Sequence, residues 1–190
     1  VDVFFVSQLH DNDAVATIGL TESILTLIYS LAMGLSMGAT AMVARRVGEK
    51  DIKSAEVAAA QAIFVGIGLS IAISVVGIFF SEDLLRLMGA SEQLIQKNSG
   101  YARWMLSGNI TIMMLFLING IFRGAGDASI AMRSLWLANI LNIILDPIFI
   151  FGLGPVPAFG VEGAAIATNL GRGVGVLYQI YHLQKGKGLI

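Results

Sequence analysis

The chain has no cysteine, which excludes disulfides and thiolate metal sites. Charge is scarce as well. Only 13% of its 190 residues are charged, about half the share of an ordinary soluble domain. A formal net charge of −1 leaves no basic excess for a nucleic-acid partner. Neither HExxH nor a Ser–His arrangement is present, so no intramembrane protease chemistry is expected. The two histidines, His10 and His182, fall near opposite ends of apolar runs and cannot share a metal. What remains is apolar: 56% of the residues, with a mean hydropathy of +0.78. These proportions describe a membrane protein.

The apolar runs predict an all-α integral membrane protein with six transmembrane helices in a bundle. The spans are 1–9 (partial), 14–44, 57–80, 104–122, 131–151 and 163–183. The first is about half of the ~20 residues a span needs. We therefore expect a piece of a longer protein, with its first helix truncated. No basic n-region or signal cleavage site stands at the start. Gly34 and Gly38 form a small-xxx-small pair suited to close helix approach. Residues 81–100 mix Leu84, Leu85, Leu87 and Met88 with Glu82, Asp83 and Arg86, which predicts an amphipathic segment along the interface. Tyr101 and Trp104 suit the headgroup level.

Orientation follows from Lys and Arg in the loops. Loops after spans two, four and six hold Arg45, Arg46, Lys50, Lys53, Arg123, Arg133, Lys185 and Lys187, eight in all. The other side holds Arg86, Lys97 and Arg103. The even-numbered ends should face the cytoplasm, with the protein in the plasma membrane as a multi-pass chain.

The stretch 135–151, LWLANILNIILDPIFIF, carries three residues foreign to an apolar helix: Asn142, Asp146 and Pro147. Asn142 and Asp146 lie four apart and share one helix face. Pro147 frees the carbonyl at position 143, tolerated in lipid only where it faces protein or water. A carboxylate, an amide and a freed carbonyl point to an ion or proton site inside the membrane. A polar clamp between helices is the plainer alternative.

Depth strengthens the first reading. At ~1.5 Å per residue, Asp2 lies ~12 Å below the outer end of its helix. Asp146 lies ~9–12 Å from that side and Thr168 ~9 Å. Three helices thus place oxygen-bearing side chains in one layer, with Asn142 one turn deeper. An all-oxygen set suits a hard cation such as Na⁺, or a proton, rather than zinc or copper. Glu22 and Arg172 form a second pair of intramembrane charges, both ~13–15 Å deep. A mutual salt bridge is one reading. In the other, Arg172, one turn below Thr168, reaches into a cavity and meets Asp146 or an anionic substrate group. Asn109, Thr111, Thr26 and Tyr29 are read as helix glue.

LNIILDPIFIFG followed by GVEGAAIAT, with VDVFFVSQL, FRGAGD and GATAMVARRVGEKD, resembles the multidrug and toxic compound extrusion (MATE) transporters over essentially all 190 residues. The resemblance implies twelve helices in two lobes, of which 1–190 would be most of the N-terminal one. The second transmembrane lobe would be a partner from the same full-length protein. It implies Na⁺- or H⁺-coupled efflux (antiport) of small organic or cationic compounds, and no enzyme activity or cofactor beyond the coupling ion. By that resemblance the ion- or proton-coupling set falls on Asp2, Asn142, Asp146 and Thr168, and Asn119 becomes a cavity-lining position. Glu22 and Arg172 are further substrate-cavity candidates. His10–Asp11 stands where similar proteins usually have Leu-Gly, a loop change. A lipid-linked oligosaccharide flippase of related architecture is the alternative, though it should carry a strongly cationic cavity.

Overall fold

A computed structural model describes residues 2–9, 11–153 and 155–185. His10 and Lys187, which entered the sequence reading, lie outside the described residues, as do Val1, Gly154 and the rest of 186–190. Seven helices follow in order: α1 (Asp2–Ser7), α2 (Asn12–Gly48), α3 (Ile52–Leu87), α4 (Glu92–Ser107), α5 (Asn109–Gly124), α6 (Ala128–Phe151) and α7 (Val161–Gln184). The fourth and fifth make one broken span, Glu92–Gly124, so the bundle has six helices. Four of the helices are long and apolar enough to cross a membrane: α2, α3, the α4–α5 span and α6. With 37 residues, α2 is ~55 Å long and overshoots an apolar core of ~30 Å.

Helix starts are set by short polar side chains that accept from otherwise unpaired amides. Asp11 accepts from the N–H groups of Asp13 and Ala14 at the head of α2, and Lys97 joins it at 2.6 Å. Asp51 accepts from the Ser54 N–H and hydroxyl at the head of α3. Ser91 and Asp127 serve α4 and α6 in the same way. The lysine beside Asp11 and the serine hydroxyl at Asp51 hold both carboxyls below their usual range.

Residues 81–100 do not form a separate interfacial helix. They complete α3 and begin α4, and Leu85, Ile95 and Ala102 close into a buried cluster between those helices. The charged side of the segment zips the two together: Arg86 pairs with Glu92 at 2.6 Å and Arg103 with Glu82 at 3.1 Å. Part of its apolar side, Leu85 and Ile95, thus meets protein, while Leu87 and Met88 stay exposed. Tyr101 is buried in the bundle core, whereas Trp104 is exposed.

The break at Gly108 is filled from α7. A side chain at Gly108 would collide with Asn169, whose amide donates to the Trp104 carbonyl at 3.0 Å. Thr111 donates to Asn169 at 3.2 Å, and Asn109 donates to Ser74 and to the Leu106 carbonyl. Asn109 and Thr111 are thus helix glue, as expected.

Close helix approach comes from other glycines than those predicted. Gly34 and Gly38 face open space. On α7, a methyl added at Gly171 would sit 2.9 Å from the Ala138 carbonyl, and one at Gly175 would sit 3.2 Å from that of Ser134. Gly163 abuts the Phe149 backbone. These lie at four- and eight-residue intervals, on one face, so α7 presses against α6 along its length. That seam sets the site.

Candidate coupling site and cavity

The seam between α6 and α7 brings Asn142 and Thr168 together. The Asn142 amide nitrogen donates to Thr168 Oγ1 at 2.8 Å and to Asp146 Oδ1 at 3.0 Å. It lies 3.5 Å from Asp2 Oδ1, a long contact by hydrogen-bond standards. Thr168 in turn donates to Asp2 Oδ2 at 2.8 Å. The depth count grouped Asp2, Asp146 and Thr168 in one layer, and the structure brings all four side chains together. Although Asn142 is a turn deeper on the backbone, its amide is the hub.

The cluster is unevenly wetted. Asp146 is wholly buried and Thr168 is 4% exposed, while Asp2 and Asn142 are half-buried. Asp146 Oδ1 has its amide donor, but Oδ2 is buried and unpartnered. Such an oxygen is costly in a low-dielectric interior. Pro147 remains inside the helix, so the Ile143 carbonyl has no helical N–H donor one turn ahead. Acceptors are therefore in surplus here, and donors are few. Oxygens suit Na⁺, but the amide nitrogen of Asn142 now points at them. A metal in their midst would require that amide to turn its oxygen inward, whereas a proton on a carboxyl could be accommodated without that turn. Among the described residues no cluster of three His, Cys, Asp or Glu side chains exists.

The cluster opens onto a cavity of about 360 Å³. Asp2, Asn142 and Thr168 line it, as do Glu22, Tyr29, Asn139 and Arg172. Glu22 and Arg172 share this cavity without forming the expected salt bridge: neither belongs to an ion pair among the described residues. Equal depth fixes height but not rotation, and the Arg172 guanidinium turns to Tyr29 instead. It donates to the Tyr29 hydroxyl at 2.8 Å, with its carbon 5.8 Å from the ring centre.

A family model named MatE matches residues 1–148. The chain belongs to the MatE family. A FAD transporter of Shewanella oneidensis is 34% identical over 88% of this chain and 37% of its own length. The multidrug export protein MepA of Staphylococcus aureus is 26% identical over 100% of this chain and 41% of its own. An inward-facing multidrug resistance MATE family transporter of the MOP superfamily superposes with a TM-score of 0.88 at 37% identity, covering 96% of this chain and 40% of that one. Its outward-facing counterpart gives 0.86, with 96% and 39% covered. The MatE chain thus spans about 40% of the length of these relatives, and its fold matches both conformations nearly equally.

In this MatE chain Asn119 is not a cavity residue. It is 4% exposed and accepts from Gln179 at 2.7 Å and Ser134 at 3.0 Å. Three helices, α5, α6 and α7, converge there, so their polar groups satisfy one another away from the cavity. Tyr29, read as glue, is a cavity residue. It stands seven positions after Glu22, two turns along the same face, a spacing that could have revealed it. Asn139, one turn before Asn142, carries the same kind of signal.

Proposed function

We propose that the full-length protein is a secondary active transporter, an antiporter that exports small organic molecules from the cytoplasm against an inward flow of Na⁺ or H⁺. The observation that carries this reading is the unpartnered, buried Oδ2 of Asp146 in a cluster with a second carboxylate, Asp2. Two carboxylates sharing one amide and one hydroxyl repel each other, and a proton or cation between them offsets that repulsion. The charge of the cluster then depends on an ion that enters from one side. A cavity of about 360 Å³ beside it offers room for part of a substrate, with a second lobe closing the remainder.

Ion binding at Asp146 and Asp2 joins α6 to α1 and thereby favours one packing of the lobe against its counterpart. A ligand moves such an equilibrium only by its differential affinity for the two states. The ion does this because only one state presents both carboxylates to it. The cytoplasmic membrane is the proposed location, with the Arg45–Lys53 loop inside.

The test is substrate efflux from vesicles holding the full-length protein, with Na⁺ and H⁺ gradients imposed separately. Export driven by either gradient supports antiport and names the ion. Export that is indifferent to both would sink it. The flippase reading draws no support from the cavity, whose lining includes a single guanidinium, that of Arg172.

A further inference from the structure

Within the cavity, Arg172 and Glu22 present opposite charges that do not neutralise each other. A charged side chain at this depth is ordinarily paired. Arg172 instead lies on an aromatic mount. Tyr29 accepts from its Nη2 at 2.8 Å, and the Tyr29 ring is itself held by an edge contact with Phe116, centroids 6.0 Å apart. This mount uses one of the guanidinium nitrogens and leaves Nη1 buried without a partner, while the side chain as a whole is half-buried and lines the cavity. The neutral phenol orients the guanidinium but leaves its charge intact. Arg172 is also four residues after Thr168, on the face of α7 that carries the ion cluster.

Resting on the transport reading above, we propose that Arg172 is the specificity-determining residue of the cavity and that the preferred substrates carry an anionic group, a carboxylate or a phosphate. The planar fork of a guanidinium matches both oxyanions. Glu22, exposed on α2 and lining the same cavity, faces the rest of the substrate and favours a cationic or hydrogen-bond-donating part there. A purely cationic molecule gains from Glu22 but meets an uncompensated guanidinium. The cavity therefore selects amphoteric molecules over simple cations.

The experiment uses the full-length protein and two dyes of one skeleton: a rhodamine with a free carboxylate, and its methyl ester. A third probe, inorganic phosphate, competes with the first. Binding is read by fluorescence anisotropy in detergent, and export is read in vesicles. The wild type should bind the carboxylate dye about tenfold tighter than the ester, the scale of one charge-assisted hydrogen bond. Arg172→Gln should erase that preference by weakening the carboxylate dye alone, and Arg172→Lys should restore part of it. Tyr29→Phe, which keeps the ring and removes the hydroxyl, should reduce the preference by a smaller factor. Competition by phosphate marks the oxyanion as the recognised group, and its absence assigns the site to carboxylates.

Equal binding of both dyes by the wild type, equal loss of both in Arg172→Gln, or no binding of either would overturn the proposal. Dye binding that follows Arg172 without any gradient-driven export would instead leave the anion site standing and defeat the transport reading.

Discussion

Thr168 donates to Asp2 across 166 positions of sequence, at 2.8 Å. The bond ties the first helix of the chain to the last one at the level of the buried Asp146. Thr168 also accepts from Asn142, so its single hydroxyl serves both neighbours at once. Thr168→Ala removes a donor and an acceptor and should raise the ion concentration for half-maximal transport by about tenfold, the worth of one or two such bonds. Thr168→Ser keeps the hydroxyl and should stay near the wild-type value. Transport titrations of both variants check this. Equal behaviour of Ala and Ser would show that the hydroxyl does not matter.

Asn142 can be separated from Thr168 by the same titration. Its amide is the donor common to Thr168 and Asp146. Asn142→Ala should weaken ion dependence further, since Asp146 then loses its one hydrogen-bond donor. Asn142→Asp should be worse than alanine, because it adds a third carboxylate to a cluster already rich in acceptors. If the aspartate variant matched the wild type, the donor role of the amide would be excluded.

Glu22 and Arg172 should act independently on stability. No ion pair joins them, so the changes Glu22→Gln and Arg172→Gln should add within about 0.5 kcal/mol. A double-mutant cycle on the thermal unfolding of purified protein measures this. A coupling of several kcal/mol, as for a broken buried pair, would restore the salt bridge.

The α6–α7 seam makes an opposite pair of glycine predictions. Gly171→Leu drives a side chain toward the Ala138 carbonyl and should cost ~1–3 kcal/mol by overpacking. Gly34→Ala enters open space and should leave stability unchanged or raised, because alanine is the better helix former. Thermal midpoints of the two variants decide between the seams.

These outcomes separate what the sequence could and could not reveal. Counting residues from loop to charge gives height along a helix, and height sufficed to group Asp2, Asp146 and Thr168. Rotation about the helix is set by packing, which counting does not supply. Hence Glu22 and Arg172, equal in depth and read either as a pair or as cavity residues, line one cavity without pairing. Asn119 was assigned to the cavity and turned inward to Gln179 and Ser134. Gly34 and Gly38 have the spacing of a helix contact, but spacing does not say whether protein or lipid lies opposite. For residues 81–100 the amphipathic pattern was real, and part of its apolar side, Leu85 and Ile95, packs between α3 and α4 while Leu87 stays exposed.

Topology is open to direct labelling. Eight loop cations against three predict that the Arg45–Lys53 segment faces the cytoplasm. In the structure, Arg45 and Arg46 stand in the last turn of α2 and both pair with Glu49 just after it, at 2.9 and 3.0 Å, so two of the positive charges at this end are partly offset. Asp/Glu contribute little to the rule, so the expected orientation is unchanged. A cysteine at Asp51, in a chain that has none of its own, should resist an impermeant reagent in intact cells and react after lysis. Ready labelling from outside would invert the bundle.

Asp146 is the decisive residue. Its Oδ2 is buried without a partner, its Oδ1 depends on Asn142, and Pro147 leaves the neighbouring backbone short of a donor. Asp146→Asn replaces the charge with an amide of the same shape. The amide can donate toward Asp2, so the cluster should fold as if permanently loaded. Inserted and folded protein is therefore expected, with substrate still bound. Gradient-driven export should disappear, because Asp2 alone no longer forms with Asp146 the carboxylate pair whose repulsion the ion relieves, and the gradient then has little differential affinity to act on. Wild type and Asp146→Asn are compared in vesicles matched for protein content, with and without the gradient. Undiminished gradient-driven export by the mutant would remove Asp146 from coupling and leave it a clamp between α6 and its neighbours.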